Sequence, residues 1–431
     1  MIKRQSISPS TILTPLAALF LLLSAAQGNI FAQPQERDHD DQLFFENPRR
    51  SSVSIRFELV NNLIVIPVSI NESDVLHFIV DTGVNTTLIT EIGIGEELEL
   101  KSVDDVRIRG LGEGEPLEAY HSVGNTLEFE GIKGENQEVY VLKEDVFHLS
   151  SQMGREINGI FGFNIFRDFI VEINYGTRRI TLHDPEHYSY SWWKRTFWTT
   201  KPINVVNNKP YVETILKKDD NTELPVRLMI DTGASHSLWL DERSDEEISA
   251  PVDTERTLLG SGLSGDLFGR KGRLEALEFG TFKLDNVIAA YPDSASIAAA
   301  MDLDGRHGSL GADVLNRFNV IFDYQNEQIT FRRNLRYFRP FEHDMSGMTI
   351  SNPITEMPIY MVSYVRPNSP ADRAGVEPGD QITSVNNTSV SNYTLSELQG
   401  IFKSGEGREI SLQIERDGET LTKRFRLEKL V

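Results

Sequence analysis

Two short stretches carry the residues that could do chemistry. The first is Phe78-Ile-Val-Asp81-Thr82-Gly83-Val84-Asn85-Thr86-Thr87-Leu88-Ile89, and the second is Leu228-Met-Ile-Asp231-Thr232-Gly233-Ala234-Ser235-His236-Ser237-Leu238-Trp239. Each reads as a buried strand, a tight polar turn opened by Asp-Thr-Gly, and a second apolar strand. A lone Asp-Thr-Gly is a weak signal; two copies with matched apolar flanks are specific. If the halves pack about a pseudo-two-fold axis, Asp81 and Asp231 lie side by side. Two like charges at close range hold one proton between them. The charged member can take a proton from water while the protonated one donates to a carbonyl oxygen. One site then supplies base and acid for water attack on an amide.

The neighbouring residues have supporting parts. Gly83 and Gly233 let the backbone bend so that amide N–H groups approach the carboxylates. Thr82 and Thr232 carry hydroxyls that can bond across to the facing turn, and Ala234 and Ser235 complete the second turn. Gly110 and Gly112, with Gly260 and Gly262, mark hairpin tips that can fold over an extended substrate, or serve as ordinary turns.

The elements that position these residues form an internal repeat. Asp81 and Asp231 are 150 positions apart, and Gly110-Leu-Gly112 and Gly260-Ser-Gly262 keep that offset. Gly159-Ile-Phe161-Gly162 and Gly308-Ser-Leu310-Gly311 follow at 149, with Phe169 matching Phe318 and Tyr175 matching Tyr324. Upstream, Asn61-Asn62 has a counterpart in Asn207-Asn208. Short alternating runs punctuated by Gly, Asn and Asp read as strands throughout both copies. The repeat predicts a first lobe over 52–185 and a second over 202–335. The linker 186–201 holds Trp192, Trp193 and Trp198, which either plug the joint between lobes or form an aromatic wall facing substrate.

The chain of 431 residues is long enough for two or three domains. Its net charge of −21 argues against nucleic acid and against an anionic membrane surface as partners. It has no cysteine, which excludes disulfides, thiolate catalysis and sulfur-based zinc sites. Lys3 and Arg4 precede an apolar run, Ile12 to Ala26, the pattern of a signal peptide over 1–32. The expected destination is the periplasm or the exterior of a bacterium. An uncleaved anchor is the lesser alternative, because the run is short for a span. No transmembrane segment is expected after its removal. Residues 33–51, polar and acidic, read as a disordered lead-in. The histidines show no ligand spacing, so neither metal nor cofactor is expected. Gly110-Leu-Gly-Glu-Gly114 lacks the strand-to-helix context of a dinucleotide loop.

Residues 344–431 have a different texture. Ser369-Pro370-Ala371-Asp372 and Thr394-Leu-Ser-Glu397 are helix-capping patterns, and Asp417-Gly418 marks a hairpin. The run Ser369-Pro370-Ala371, Ala374-Gly375-Val376, Pro378-Gly379-Asp380, Ile382 and Val385-Asn386 resembles a PDZ domain of the bacterial protease type. The resemblance implies a peptide groove between Ile359–Tyr364 and helix Leu395–Phe402, with Ile359, Tyr360, Met361, Val362, Leu395 and Leu398 lining it. Glu356-Met-Pro358-Ile-Tyr360 stands where a glycine-containing carboxylate loop is usual.

The paired Asp-Thr-Gly turns, each followed about 80 residues later by Ile160-Phe161-Gly162 or Leu310-Gly311, resemble the aspartic peptidases, and Asp-Thr-Gly-Ala resembles the retropepsin type. The resemblance implies an all-β, two-lobed pseudo-symmetric β-barrel fold, followed here by the α+β PDZ domain. It implies Asp81 and Asp231 as the catalytic pair of a single-chain endopeptidase, for which a monomer suffices. Val84 stands where a small or hydroxyl residue is usual. Neither Val84 nor Ala234 has a side-chain donor for the outer carboxylate oxygens, which favours the neutral acids and a mildly acidic to near-neutral optimum. The partners implied are a polypeptide substrate and a peptide ligand of the PDZ domain. A non-catalytic peptide-binding or scaffold protein that has kept the lobes is the alternative.

Overall fold

The computed structural model describes residues 41–91, 98–108, 116–218, 222–251, 254, 256–262, 265–294 and 305–429. Its all-β part consists of two similar sheets joined by a third. In the first lobe, strand Leu76–Val80 leads into Asp81 and strand Thr87–Ile89 follows the turn. Strand Gly159–Phe161 lies between them, parallel to the former and antiparallel to the latter. The second lobe repeats this arrangement with Gly308–Leu310 between Glu223–Ile230 and Leu238–Leu240. All three strands of each set are buried at their inner residues, as continuous apolar runs require.

The third sheet has six strands, in the order Thr199–Pro202, Gln328–Arg333, Phe318–Asp323, Ile170–Asn174, Arg179–His183, Ser52–Arg56. The two central strands, Ile170–Asn174 and Phe318–Asp323, occupy equivalent places in the repeat. They pair antiparallel, with Glu172 opposite Ile321, Val171 opposite Phe322 and Ile173 opposite Val320. Each residue thus faces its mate's neighbourhood symmetrically, which puts the pseudo-two-fold axis through Glu172 and Ile321. One hydrophobic core runs through both lobes, from Phe78 and Phe161 to Leu228 and Phe331.

Helix Trp192–Phe197 lies in the linker. Trp198 is buried with Ile170 and Ile321 on the shared sheet, while Trp192 is exposed. One expectation is corrected upstream. Leu43–Phe45, read as part of a disordered lead-in, forms a strand paired with Ile132–Gly134. Leu43 is buried, Phe45 packs on Phe169 with ring centroids 5.1 Å apart, and the Leu43 amide donates to Asp168 at 2.9 Å. Those contacts offset the ordering entropy that the polar composition alone would not.

The C-terminal domain has its own core, including Ile350, Val362, Ile382, Leu398, Phe402, Leu412 and Ile414. Its sheet runs Met348–Ser351, Tyr360–Val365, Gln381–Val385, Glu409–Arg416, Glu419–Arg426. Ser369 caps helix Pro370–Arg373, and a Thr394–Glu397 capping box opens helix Leu395–Phe402.

This order corrects the expected groove. Tyr360, Met361 and Val362 are in the interior of the sheet, with Met348–Ser351 on one side and Gln381–Val385 on the other. Tyr360 donates its hydroxyl to the Tyr393 carbonyl at 2.6 Å, and Leu395 and Leu398 are core residues. Ile359 precedes the strand. The sheet edge is Met348–Ser351 instead. The loop leading into it is Asp344–Gly347, not Glu356–Tyr360. A strand of four residues is too short to show period-two alternation in sequence.

Candidate active site

Each Asp-Thr-Gly turn is pinned from behind by the strand between its flanks. The Asp81 amide donates to the Phe161 carbonyl at 2.9 Å, and the Asp231 amide to the Leu310 carbonyl at 3.0 Å. The Phe163 amide reaches the Val84 carbonyl at 3.2 Å, and the Ala312 amide the Ala234 carbonyl at 2.7 Å. A Cβ on Gly162 would collide with Val84, so only glycine allows this approach.

The two turns meet through their threonines. The Thr82 hydroxyl donates to the Ile230 carbonyl at 2.7 Å and accepts from the Thr232 amide at 3.1 Å. The Thr232 hydroxyl donates to the Val80 carbonyl at 2.9 Å and accepts from the Thr82 amide at 3.0 Å. Four buried hydrogen bonds therefore cross between residues 148 to 152 positions apart, in two symmetric pairs. A Cβ on Gly233 would strike the Asp81 carboxyl group, so the first acid packs directly on the second turn.

Both carboxyl groups are fully buried. The inner oxygens accept backbone amides: Asp81 Oδ1 from Gly83 at 2.6 Å and Asp231 Oδ1 from Gly233 at 3.0 Å. Oδ2 of each is buried without a hydrogen-bond partner among the described residues. Burial, then the facing Asp231 charge, raises the Asp81 carboxyl well above its ordinary range. Burial also raises Asp231, to about 6, against the opposing pull of Arg306, the Gly233 and Ala234 amides and Lys209. The pair holds a proton at pH values where free carboxylates have lost theirs.

Gly110 and Gly112 lie outside the described residues. Gly260 and Gly262 lie on strand Arg256–Gly262, paired with Leu267 and Gly265 of the following strand. The Ser235 carbonyl accepts from Asn62 at 3.1 Å, and Asn62 in turn accepts from Asn316 at 2.9 Å. Lys209 and Arg306, which act electrostatically on the acids, were not singled out in the sequence. Lys209 had a legible signal. It is a buried cation where the first copy, after Asn61-Asn62, has Leu63. Among the described residues, no His, Cys, Asp or Glu cluster could hold a metal ion.

Comparison with known proteins agrees with this geometry. Residues 66–165 and again 219–314 match a family model described as aspartyl protease. Residues 361–416 match one described as PDZ domain. The chain is thus identified as an aspartyl-protease-like chain of two lobes with a C-terminal PDZ domain. No curated protein matches it. Among solved structures it is similar to an aspartic proteinase from Irpex lacteus, at 14% identity and a TM-score of 0.40, covering 67% of this chain and 99% of that one.

Proposed function

We propose that this chain is an exported aspartic endopeptidase that hydrolyses extended polypeptides with Asp81, Asp231 and an activated water. The observation that carries the reading is the reciprocal threonine bonding, which presents two buried acids from two lobes to one point. Asp231, the more easily ionised acid, takes a proton from water as its oxygen attacks the peptide carbonyl carbon. Asp81 gives its proton to the carbonyl oxygen. When the C–N bond breaks, the proton on Asp231 goes to the leaving nitrogen, and the diol returns one to Asp81. The raised acids support activity at mildly acidic to near-neutral pH.

The amino-terminal pattern supports export, and no helix among the described residues is long and apolar enough to cross a membrane. The test is cleavage of an unfolded protein with and without pepstatin, in parallel with Asp81→Asn. Cleavage blocked by both agrees with the proposal. Cleavage that survives Asp81→Asn overturns it, and no cleavage at any pH favours the peptide-binding alternative.

A further inference from the structure

The chain carries −21, and as a whole it is repelled by an anionic surface. Its charge is unevenly spread, however. Residues 188–201 contain Lys194, Arg195 and Lys201 and no acid. Residues 328–341 contain Arg332, Arg333, Arg336 and Arg339 and no acid. The fold lays these two stretches side by side. Thr199–Pro202 pairs with Gln328–Phe331 on the shared sheet, and continuing that register sets Phe197 opposite Arg333. The Arg332 guanidinium lies over the Trp193 ring, 5.3 Å from its centroid. Thr281 ties both stretches together: its hydroxyl bonds with the Thr199 hydroxyl at 3.0 Å, and its carbonyl accepts from Arg333 at 3.3 Å.

The same two stretches hold the four most exposed large apolar side chains among the described residues. Leu335 is 89% exposed, Trp192 and Phe338 75% and Phe197 67%, whereas the next, Val75, is 58% exposed and belongs to the first lobe. Single exposed apolar residues need no explanation, but four gathered on two neighbouring stretches mark an interaction surface. The cations beside them are largely unspent. Lys194 is paired with Glu172 at 2.6 Å, and Arg336 and Arg339 border the cavity between the protease body and the PDZ domain. Arg195, Arg332 and Arg333 are exposed and form no ion pair with a described carboxylate.

The shared sheet separates this surface from the catalytic acids. Its inner side carries Phe318, Phe322 and Phe331, part of the core that also holds Phe78 and Leu228 from the strands leading to the acids. On its other side Trp198 packs with Ile170 and Ile321 and anchors the end of helix Trp192–Phe197. Leu335 and Phe338 follow where the neighbouring strand ends.

We propose that this face docks on a bilayer containing anionic phospholipid. Trp192, Phe197, Leu335 and Phe338 enter the boundary between headgroups and acyl chains, and Arg195, Arg332 and Arg333 meet the lipid phosphates. Protruding single side chains suit a fluid boundary that closes around each of them, whereas a protein partner needs a shaped pocket for each. The acidic remainder of the surface is repelled, so the chain docks in one orientation. The catalytic acids are not part of the contact.

The test uses the absence of cysteine from the chain, which lets one introduced thiol report one site. Thr196→Cys and, as a distant control, Val75→Cys are labelled with the fluorophore NBD in the full chain. Each is mixed with vesicles of phosphatidylcholine, with and without phosphatidylglycerol. With phosphatidylglycerol the label at 196 should shift to the blue and be quenched by a nitroxide lipid, while the label at 75 should do neither. Apparent affinity should fall about tenfold in phosphatidylcholine alone, and about tenfold when Leu335→Ser and Phe338→Ser are combined. Arg195→Gln with Arg332→Gln should remove most of the salt dependence. If the double variants fail to fold, the two labels and two lipids decide. The apolar amino-terminal run is common to all these proteins, so attachment through it alone would leave both labels alike. Alike responses at 196 and 75, no response at 196, or equal binding to both vesicle types overturns the proposal. A blue shift at 196 that needs only a higher protein concentration assigns the face to a second copy of the chain, and also overturns it.

Discussion

In the first lobe the turn after Asp81 carries Val84, wedged against Gly162; in the second the same place holds Ala234. The backbones are alike and the threonine bonds symmetric, yet the acids differ. Asp231 is eased toward ionisation by Arg306, by two turn amides and by Lys209, whereas Asp81 has one turn amide and Lys209. The difference teaches that symmetry brings the acids together while local departures from it divide their roles. The shared proton belongs to the pair, and Arg306 with the second turn amide draws it away from the Asp231 side.

The comparison can be broken from either side. The largest effect should come from Asp81→Asn and Asp231→Asn, each of which should lower cleavage of an unfolded substrate by about a thousandfold or more. Comparable losses from both lobes are required; retention of activity in one variant would mean that only one turn is used. Next come Thr82→Val and Thr232→Val. Each deletes a hydroxyl that satisfies a buried carbonyl and a buried amide across the interface. Each should cost about 2–4 kcal/mol in denaturant unfolding. The double variant should cost less than the sum, because the two pairs share one interface.

A smaller effect concerns pH and stability. A carboxyl raised on folding stabilises the protein fully below its unfolded value, near 4, and that contribution is lost as pH rises through the folded value. For Asp231 the folded value is about 6. Asp231→Asn should therefore raise Tm at pH 8 by roughly 2–6 °C and leave it nearly unchanged at pH 4. A lower Tm at pH 8 would show that the buried charge is satisfied after all. The smallest effect sharpens the asymmetry. Val84→Ser adds a donor beside Asp81 and should draw the alkaline limb of the pH–rate profile down by about half a unit to one unit; Ala234→Ser should move the acidic limb instead.

Much of the fold was legible because the chain states it twice. Matched motifs 150 positions apart define the lobes, and the related strands beside the two-fold axis, Ile170–Asn174 and Phe318–Asp323, pair with each other. Features that occur once were harder to read. Leu43–Phe45 has three residues in an acidic stretch, and its burial depends on Phe169 and Asp168, more than 120 positions away. Met348–Ser351 is too short for periodicity, so the more obvious strand Tyr360–Val365 took its place as the expected groove wall.

The most direct test of the paired acids is a titration of the full chain with 13C-carboxyl aspartate, with Asp81 and Asp231 assigned by their Asn variants. The account predicts two linked steps, the first near pH 6 and leaving one proton on the pair above it, with each signal altered when the other acid is replaced. Two independent titrations near 3.8, each indifferent to the other residue, would contradict it.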